Sequence, residues 1–299
     1  MASDRKQQQR AAWGGIAGTL VVAAAYSAPA AAFDILLDFS LDTSGFFADA
    51  GKRSVVDAAA SFFERYILDD LLAIDSSGSN HFNASFTNPS DGSTDTISDF
   101  DVAADTIKVF VGARALSGST LASAGPGGYG VSGSSTFVTN AITRGETLDE
   151  SGVRGPDAYD FAPWGGSISF NSAYNSWYVD TDPSTDETFS GKSDLYSVAL
   201  HELGHVLGIG IADSWDNKID NLGRFFGYSS VDVYGGRVPL TGDGGHWANG
   251  TMSKVYGTNV DQEAAMDPSI TVGTRKRFTT LDMAGLKDIG WEVKPVSAQ

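Results

Sequence analysis

Ser193-Asp194-Leu195-Tyr196-Ser197-Val198-Ala199-Leu200-His201-Glu202-Leu203-Gly204-His205-Val206-Leu207-Gly208 is the stretch on which the reading of this chain turns. Residues four apart on an α-helix lie one turn apart on the same face, so His201 and His205 aim two imidazoles at one point. Leu200, Leu203 and Leu207 recur on another face and are expected in a core. Glu202 is turned about 100° around the axis from His201, which sets its carboxylate beside that point rather than on it. Neutral imidazole suits zinc, and a catalytic zinc site keeps one position open after three protein ligands. A metal there would make water acidic enough for Glu202 to serve as general base in amide hydrolysis. The bland alternative, a chance match on a core helix, leaves the leucine face and the glycines after His205 unexplained.

The rest of the chain offers few competing donors. Its 299 residues contain four histidines, His81, His201, His205 and His246, and no cysteine. With 41% hydrophobic residues the chain can build a core. Lys and Arg total 20 against 37 Asp and Glu, a formal charge of -17 that repels phosphates and argues against nucleic acid as a partner. Arg5, Lys6 and Arg10 precede an apolar Ala-rich run over 11–26 and then Ala28-Pro29-Ala30-Ala31-Ala32, so residues 1–32 read as a signal peptide cleaved after Ala32. The run is too short and too rich in Gly and Ala for a convincing membrane span. Residues 33–299 are then expected as one secreted or extracytoplasmic domain, extracellular or periplasmic. It would be monomeric, with no membrane attachment, and would carry a formal charge of -19. Without cysteine, its stability must come from packing and bound cations, and no thiol can plug a metal site in a latent form.

Ile35, Leu36, Leu37 and Phe39 predict a buried strand over 34–39, and Val55, Val56, Ala59, Phe62, Phe63, Tyr66 and Ile67 predict a long helix from Ser54 to about Leu72. Strand followed by helix suggests an α/β layer. Ile107, Val109 and Val111 give a second strand, while 75–98 and 117–135, rich in polar residues and glycine, read as loops. Gly165 to Asn171 is a strand introduced by glycines, which Trp177-Tyr178-Val179 would extend or pair with. Asp180, Asp182, Asp186 and Glu187 form an acidic turn. A structural Ca2+ there competes with plain solvation, because the spacing matches no defined calcium loop.

Residues 193–208 resemble the active-site helix of the metzincin metallopeptidases, especially the matrixins. Gly165 to Phe170 resembles the edge strand that such enzymes place above the cleft, and Ala265-Met266-Asp267-Pro268 resembles their methionine turn. The likeness covers about half of the mature chain. It implies an α+β fold: a twisted mixed sheet, a packing helix, the active-site helix and an irregular C-terminal lobe. Residues 33–208 would form the N-terminal lobe and 209–299 the C-terminal one. The lobe would contain the Met266 turn and close with a helix capped near Thr279 and ended at Gly290. It further implies a zinc-dependent endopeptidase with an extended polypeptide substrate lying along Gly166 and Ile168, and residues 267–277 lining a side-chain pocket.

The family's third histidine would fall three residues after Gly208, where this chain has Ile211, which cannot bind zinc. The candidates are His246, Asp213, Asp216 and Glu263. Gly242-Asp243-Gly244-Gly245-His246-Trp247 is a glycine-rich approach that favours His246. Residues 209–245 would then be an insertion like that of the leishmanolysin-like metzincins. Glu263 would serve in a thermolysin-like fold, and His81 reads as a surface residue. Two other functions stay open: an exported adhesion or carbohydrate-binding module with a closed structural metal, and a metal-dependent amidase acting on cell-wall cross-links.

Overall fold

The computed structural model describes residues 33–146, 160–185 and 187–296; residues 1–32, expected as a signal peptide, and Asp186 of the acidic turn lie outside them. Along the chain the main strands are β1 (Asp34–Asp38), β2 (His81–Thr87), β3 (Thr94–Ile97), β4 (Thr106–Arg114), β5 (Ala122–Pro126), β6 (Gly128–Ser132) and β7 (Gly165–Asn171). The helices are α1 (Ala50–Tyr66), α2 (Ser135–Thr143), α3 (Leu195–Val206), α4 (Asp213–Asp216), α5 (Tyr228–Tyr234) and α6 (Thr280–Asp288). The fold is therefore mixed α and β, and no described helix is long and apolar enough to cross a membrane.

Strands β1, β4, β7 and β5 form one sheet in that order, parallel except for β5, which runs antiparallel to β7. Val55, Val56, Ala59 and Phe63 of α1 share a core with Ile107, Val109, Ile168 and Phe170 of the sheet and with Leu200 and Leu203 of α3. Burying each large side chain contributes about 1.5–3 kcal/mol, so the two long helices are held by packing more than by propensity. Helix α1 starts four residues before the expected Ser54, because the Asp49 side chain accepts a hydrogen bond from Gly51 N at 2.8 Å and caps it. It ends at Tyr66, where Ile67 turns extended and bridges to Val293.

Two stretches expected as loops are strands. β2 pairs antiparallel with β3 and with β6 in a second sheet. Phe82, Ala84 and Phe86 point into a small core with Phe100, Phe110 and Trp164, while His81, Asn83, Ser85 and Thr87 alternate with them. That polar half masks the period in a window scan. β5 and β6 are built from Ala, Ser, Gly, Pro, Tyr and Val, and it is their pairing with β7 and β2 that makes them strands.

β7 is a strand but not the edge. It lies between β4 and β5 with all seven residues buried. Ile168 faces Val111 on one side and Ala124 on the other, so neither Gly166 nor Ile168 is free to meet a substrate. The edge is β5. Trp177 and Tyr178 pair with Ser193 and Asp194 rather than with β7.

The excursion 209–245 joins the main core through Ile209, Ala212, Trp215, Phe225 and Val238. Trp215 stacks on Phe225 at 4.1 Å between ring centroids and packs on Trp247 at 4.9 Å. Asp288 of α6 accepts hydrogen bonds from Ser229 N and Ser230 N, at 2.7 and 2.8 Å, tying α5 to the terminal helix. Helix α6 opens with a capping box between Thr279 and Asp282.

Candidate metal centre

Helix α3 is capped by Asp194, whose carboxylate accepts from Ser197 N at 3.1 Å and holds the first turn. From there the helical period sets His201 and His205 on one face. His201 Nδ1 donates to the carbonyl of Ala265 at 2.7 Å, and His205 Nδ1 donates to that of Ile209 at 2.8 Å. Each ring thereby carries its proton on Nδ1 and presents a lone pair at Nε2.

The Nε2 of His205 lies 3.1 Å from that of His201 and 3.0 Å from that of His246. Between His201 and His205 this is not a hydrogen bond, because both nitrogens are acceptors. A cation resolves the conflict. Zinc–nitrogen bonds of about 2.0–2.1 Å at tetrahedral angles separate ligand nitrogens by about 3.3 Å, close to what is seen. Among the described residues these three histidines are the one group of His, Asp or Glu placed to hold a metal. The residues present therefore fit zinc.

His246 arrives by backbone contact. Gly210 takes a left-handed φ of 76° after α3, and any side chain there would collide with the carbonyl of Gly245, so the two ends of the excursion touch. Trp215 Nε1 donates to Gly244 O at 2.9 Å, and His246 N donates to Thr241 Oγ1 at 3.2 Å. On the far side Trp247 N donates to Met266 O at 3.1 Å. The buried carboxylate of Asp282 joins all of this. It accepts from Trp247 Nε1 at 2.9 Å, Ala265 N at 2.8 Å, Met266 N at 3.1 Å and Thr279 N at 2.8 Å. In the sequence the spacing of Asp282 from Thr279 signals a helix cap, and nothing there signals its second role.

Met266 is fully buried beneath α3, where a side chain at Gly204 would press on its sulfur and on Phe278. The other candidates lie elsewhere. Asp213 and Asp216 sit on α4, Glu263 pairs with Lys276 at 2.7 Å, and His81 pairs with Asp99 at 2.6 Å on the half-exposed face of β2. Asp180 is held by Arg275 at 2.8 Å and Asp182 accepts from Ser184, and among the described residues the acidic turn forms no group placed to hold a metal. Arg275 also forks onto Asp194, with Nε and Nη2 each 3.0 Å from a carboxylate oxygen, and so clamps that turn to the start of α3.

A cleft of about 580 Å³ opens on the histidines. Ala122 and Ala124 of β5 line one side, Val198 and Glu202 of α3 the other, and Pro268 and Ile270 one end. Burial pushes the Glu202 carboxyl up to about 8. Burial, with the neighbouring His205, holds His201 well below the ordinary imidazole range, and burial with His246 brings His205 down to about 4. His246 is lowered by burial against the opposing pull of Asp243 and Asp267. All three rings are thus in the neutral form a metal requires, and a cation held by them would draw the Glu202 carboxyl down again.

A mixed α/β chain with three convergent imidazoles and an adjacent buried glutamate has the parts of a metal centre. Comparison with known proteins finds partial matches. The chain is 46% identical over 66 residues to metalloendoproteinase 4-MMP of Arabidopsis thaliana, covering 22% of this chain and 18% of that protein. It is 41% identical over 70 residues to metalloendoproteinase 1-MMP and 38% over 74 residues to metalloendoproteinase 2-MMP of the same organism. These matches cover 22% and 25% of this chain, and it spans less than a fifth of each relative's length. No family model matches the chain. No solved structure matches it.

Proposed function

We propose that this chain is a zinc-dependent endopeptidase, exported behind its leader, with His201, His205 and His246 as ligands and Glu202 as general base. The observation that carries the reading is the convergence of three Nε2 atoms in an open cleft, two of them fixed as lone pairs by backbone carbonyls. The partial likeness to metalloendoproteinases supports it. Bound there, zinc supplies a Lewis acid that polarises a carbonyl and makes water acidic.

The chain's own residues supply the rest. Asn171 N donates to Leu121 O at 2.8 Å and Gly127 N to Gly165 O at 2.9 Å, so the odd-numbered peptide groups of β5 face β7. Alternation leaves those of Ala122 and Ala124 facing the cleft, where an extended polypeptide pairs antiparallel. The Glu202 carboxylate takes a proton from the attacking water and gives it to the leaving amine. The low-dielectric wall of Val198, Pro268 and Ile270 strengthens each of these interactions and receives a side chain. A site of three ligands opening on a cleft suits catalysis better than the closed four-ligand site of a structural metal.

Zinc content and casein cleavage of wild type, Glu202→Gln and His246→Ala test this. Glu202→Gln keeps zinc and loses hydrolysis; His246→Ala loses zinc. Full activity in Glu202→Gln would falsify the mechanism.

A further inference from the structure

Ile211 stands in the turn after α3, on the wall of the cleft that opens on the histidines. Its amide donates to Gly208 O at 3.1 Å, which fixes its place in the turn. The side chain is an aliphatic group left 43% exposed, and it lines the same cleft as Glu202 and His246. Across from it lies Gly125 of β5, where an added methyl group would come 3.3 Å from Ile211 Cδ1. One residue further, Pro126 has no N–H, so the ladder that β5 offers to an incoming strand stops there. A substrate antiparallel to β5 runs from Pro126 towards Ala122, and its residues nearest Gly125 therefore precede those nearest Ala122.

We propose that Ile211 is a specificity-determining residue: with Gly125 it forms an aliphatic wall that receives the substrate side chain on the N-terminal side of the cleaved bond. This rests on the endopeptidase reading above. The chemical class is a branched aliphatic side chain. A charged one would be desolvated against Ile211 without a partner, and a bulky aromatic one would meet Ile211 at the point where the strand ladder ends. The excursion would thus contribute twice to the cleft, with His246 at its far end and Ile211 at its start.

The test uses the zinc-loaded wild type, Ile211→Ala, Ile211→Val, Gly125→Ala and the double variant Gly125→Ala/Ile211→Ala. Each is assayed on quenched fluorescent peptides varied through Ala, Val, Leu, Asp, Lys and Phe at the three positions before the cleaved bond. In wild type, kcat/KM at one of these positions should favour Val and Leu over Asp and Lys by roughly tenfold or more. Ile211→Ala should cut that ratio to roughly twofold and admit Phe, with zinc stoichiometry and preferences after the cleaved bond unchanged. Gly125→Ala should lower kcat/KM for Leu, and the double variant should recover part of the loss. Ile211→Val removes one methylene and keeps the turn, so it reads the same position if the alanine variant loses zinc. An unchanged profile in the Ile211 variants overturns the role of Ile211 and leaves the endopeptidase standing. A zinc-loaded wild type that cleaves no peptide overturns both.

Discussion

The Nε2 of His246 lies 3.0 Å from that of His205, although the two residues are 41 positions apart in the chain. Nitrogens this close, in rings that burial keeps neutral, gain from a cation placed among them. Zinc should therefore raise the unfolding temperature, since a ligand at 100 times its Kd adds about 2.7 kcal/mol. Calorimetry of wild type and His246→Ala with and without zinc checks this, and the variant should lose most of the shift.

Asp282 ties Trp247, Ala265, Met266 and Thr279 together through two carboxylate oxygens. Asn offers one oxygen and turns an NH2 group towards donors. Asp282→Asn should cost about 2–4 kcal/mol in urea unfolding and weaken zinc binding about 10–100-fold. An unaltered zinc affinity would show that the carboxylate does not act through His246 or Ala265.

Gly204 and Met266 fit as small against large beneath α3. Gly204→Ala forces a methyl onto the sulfur and should cost about 1–3 kcal/mol. Combining it with Met266→Ala should cost less than the sum of the two single changes, because each relieves the other. Additivity in thermal unfolding would mean that the contact is not tight.

Arg275 and Asp194 form a buried fork, with Asp194 fully buried at the start of α3. Arg275→Ala leaves that carboxylate without its cation and should destabilise by about 3–5 kcal/mol. Arg275→Lys should recover only part, since one ammonium cannot match two oxygens at once. Chemical denaturation of the three proteins decides the order.

Asp69 is buried and accepts from Glu292 N at 2.9 Å, and desolvation pushes its carboxyl up to about 8. The raised value fixes the sign. The folded protein holds this proton to higher pH than the unfolded chain, so the contribution is fully present below the ordinary value of 3.8 and is lost as pH rises to about 8. Asp69→Asn imitates the protonated acid. Its advantage over wild type in unfolding free energy should grow from pH 5 to pH 8, reach about 2–5 kcal/mol, and level off beyond. A constant difference across that range would assign the proton elsewhere.

Much of the local structure was legible in the sequence. The 3.6-residue period of 195–206 places two imidazoles on one face and a glutamate beside them whatever surrounds the helix. Val55 to Phe63 marks α1, and Ile107, Val109 and Val111 mark β4. What failed was the assignment of strands in polar stretches and of the sheet edge. Phe82, Ala84 and Phe86 do alternate, yet only a partner sheet and Trp164 turn that weak period into a buried face. Whether β7 or β5 is the edge depends on what pairs outside it, and no local pattern carries that.

The sequence by itself determined the helix with His201, Glu202 and His205, because neighbours along a helix are fixed by bond geometry. Only the tertiary structure decided that His246 meets them and that Ile211 lines the same cleft. Both depend on Gly210 lying against Gly245, on Trp215, Phe225 and Trp247 packing as one cluster, and on Asp282 collecting donors from three segments. Such contacts join residues far apart in the chain, so their free energy exists only once the intervening loop has closed.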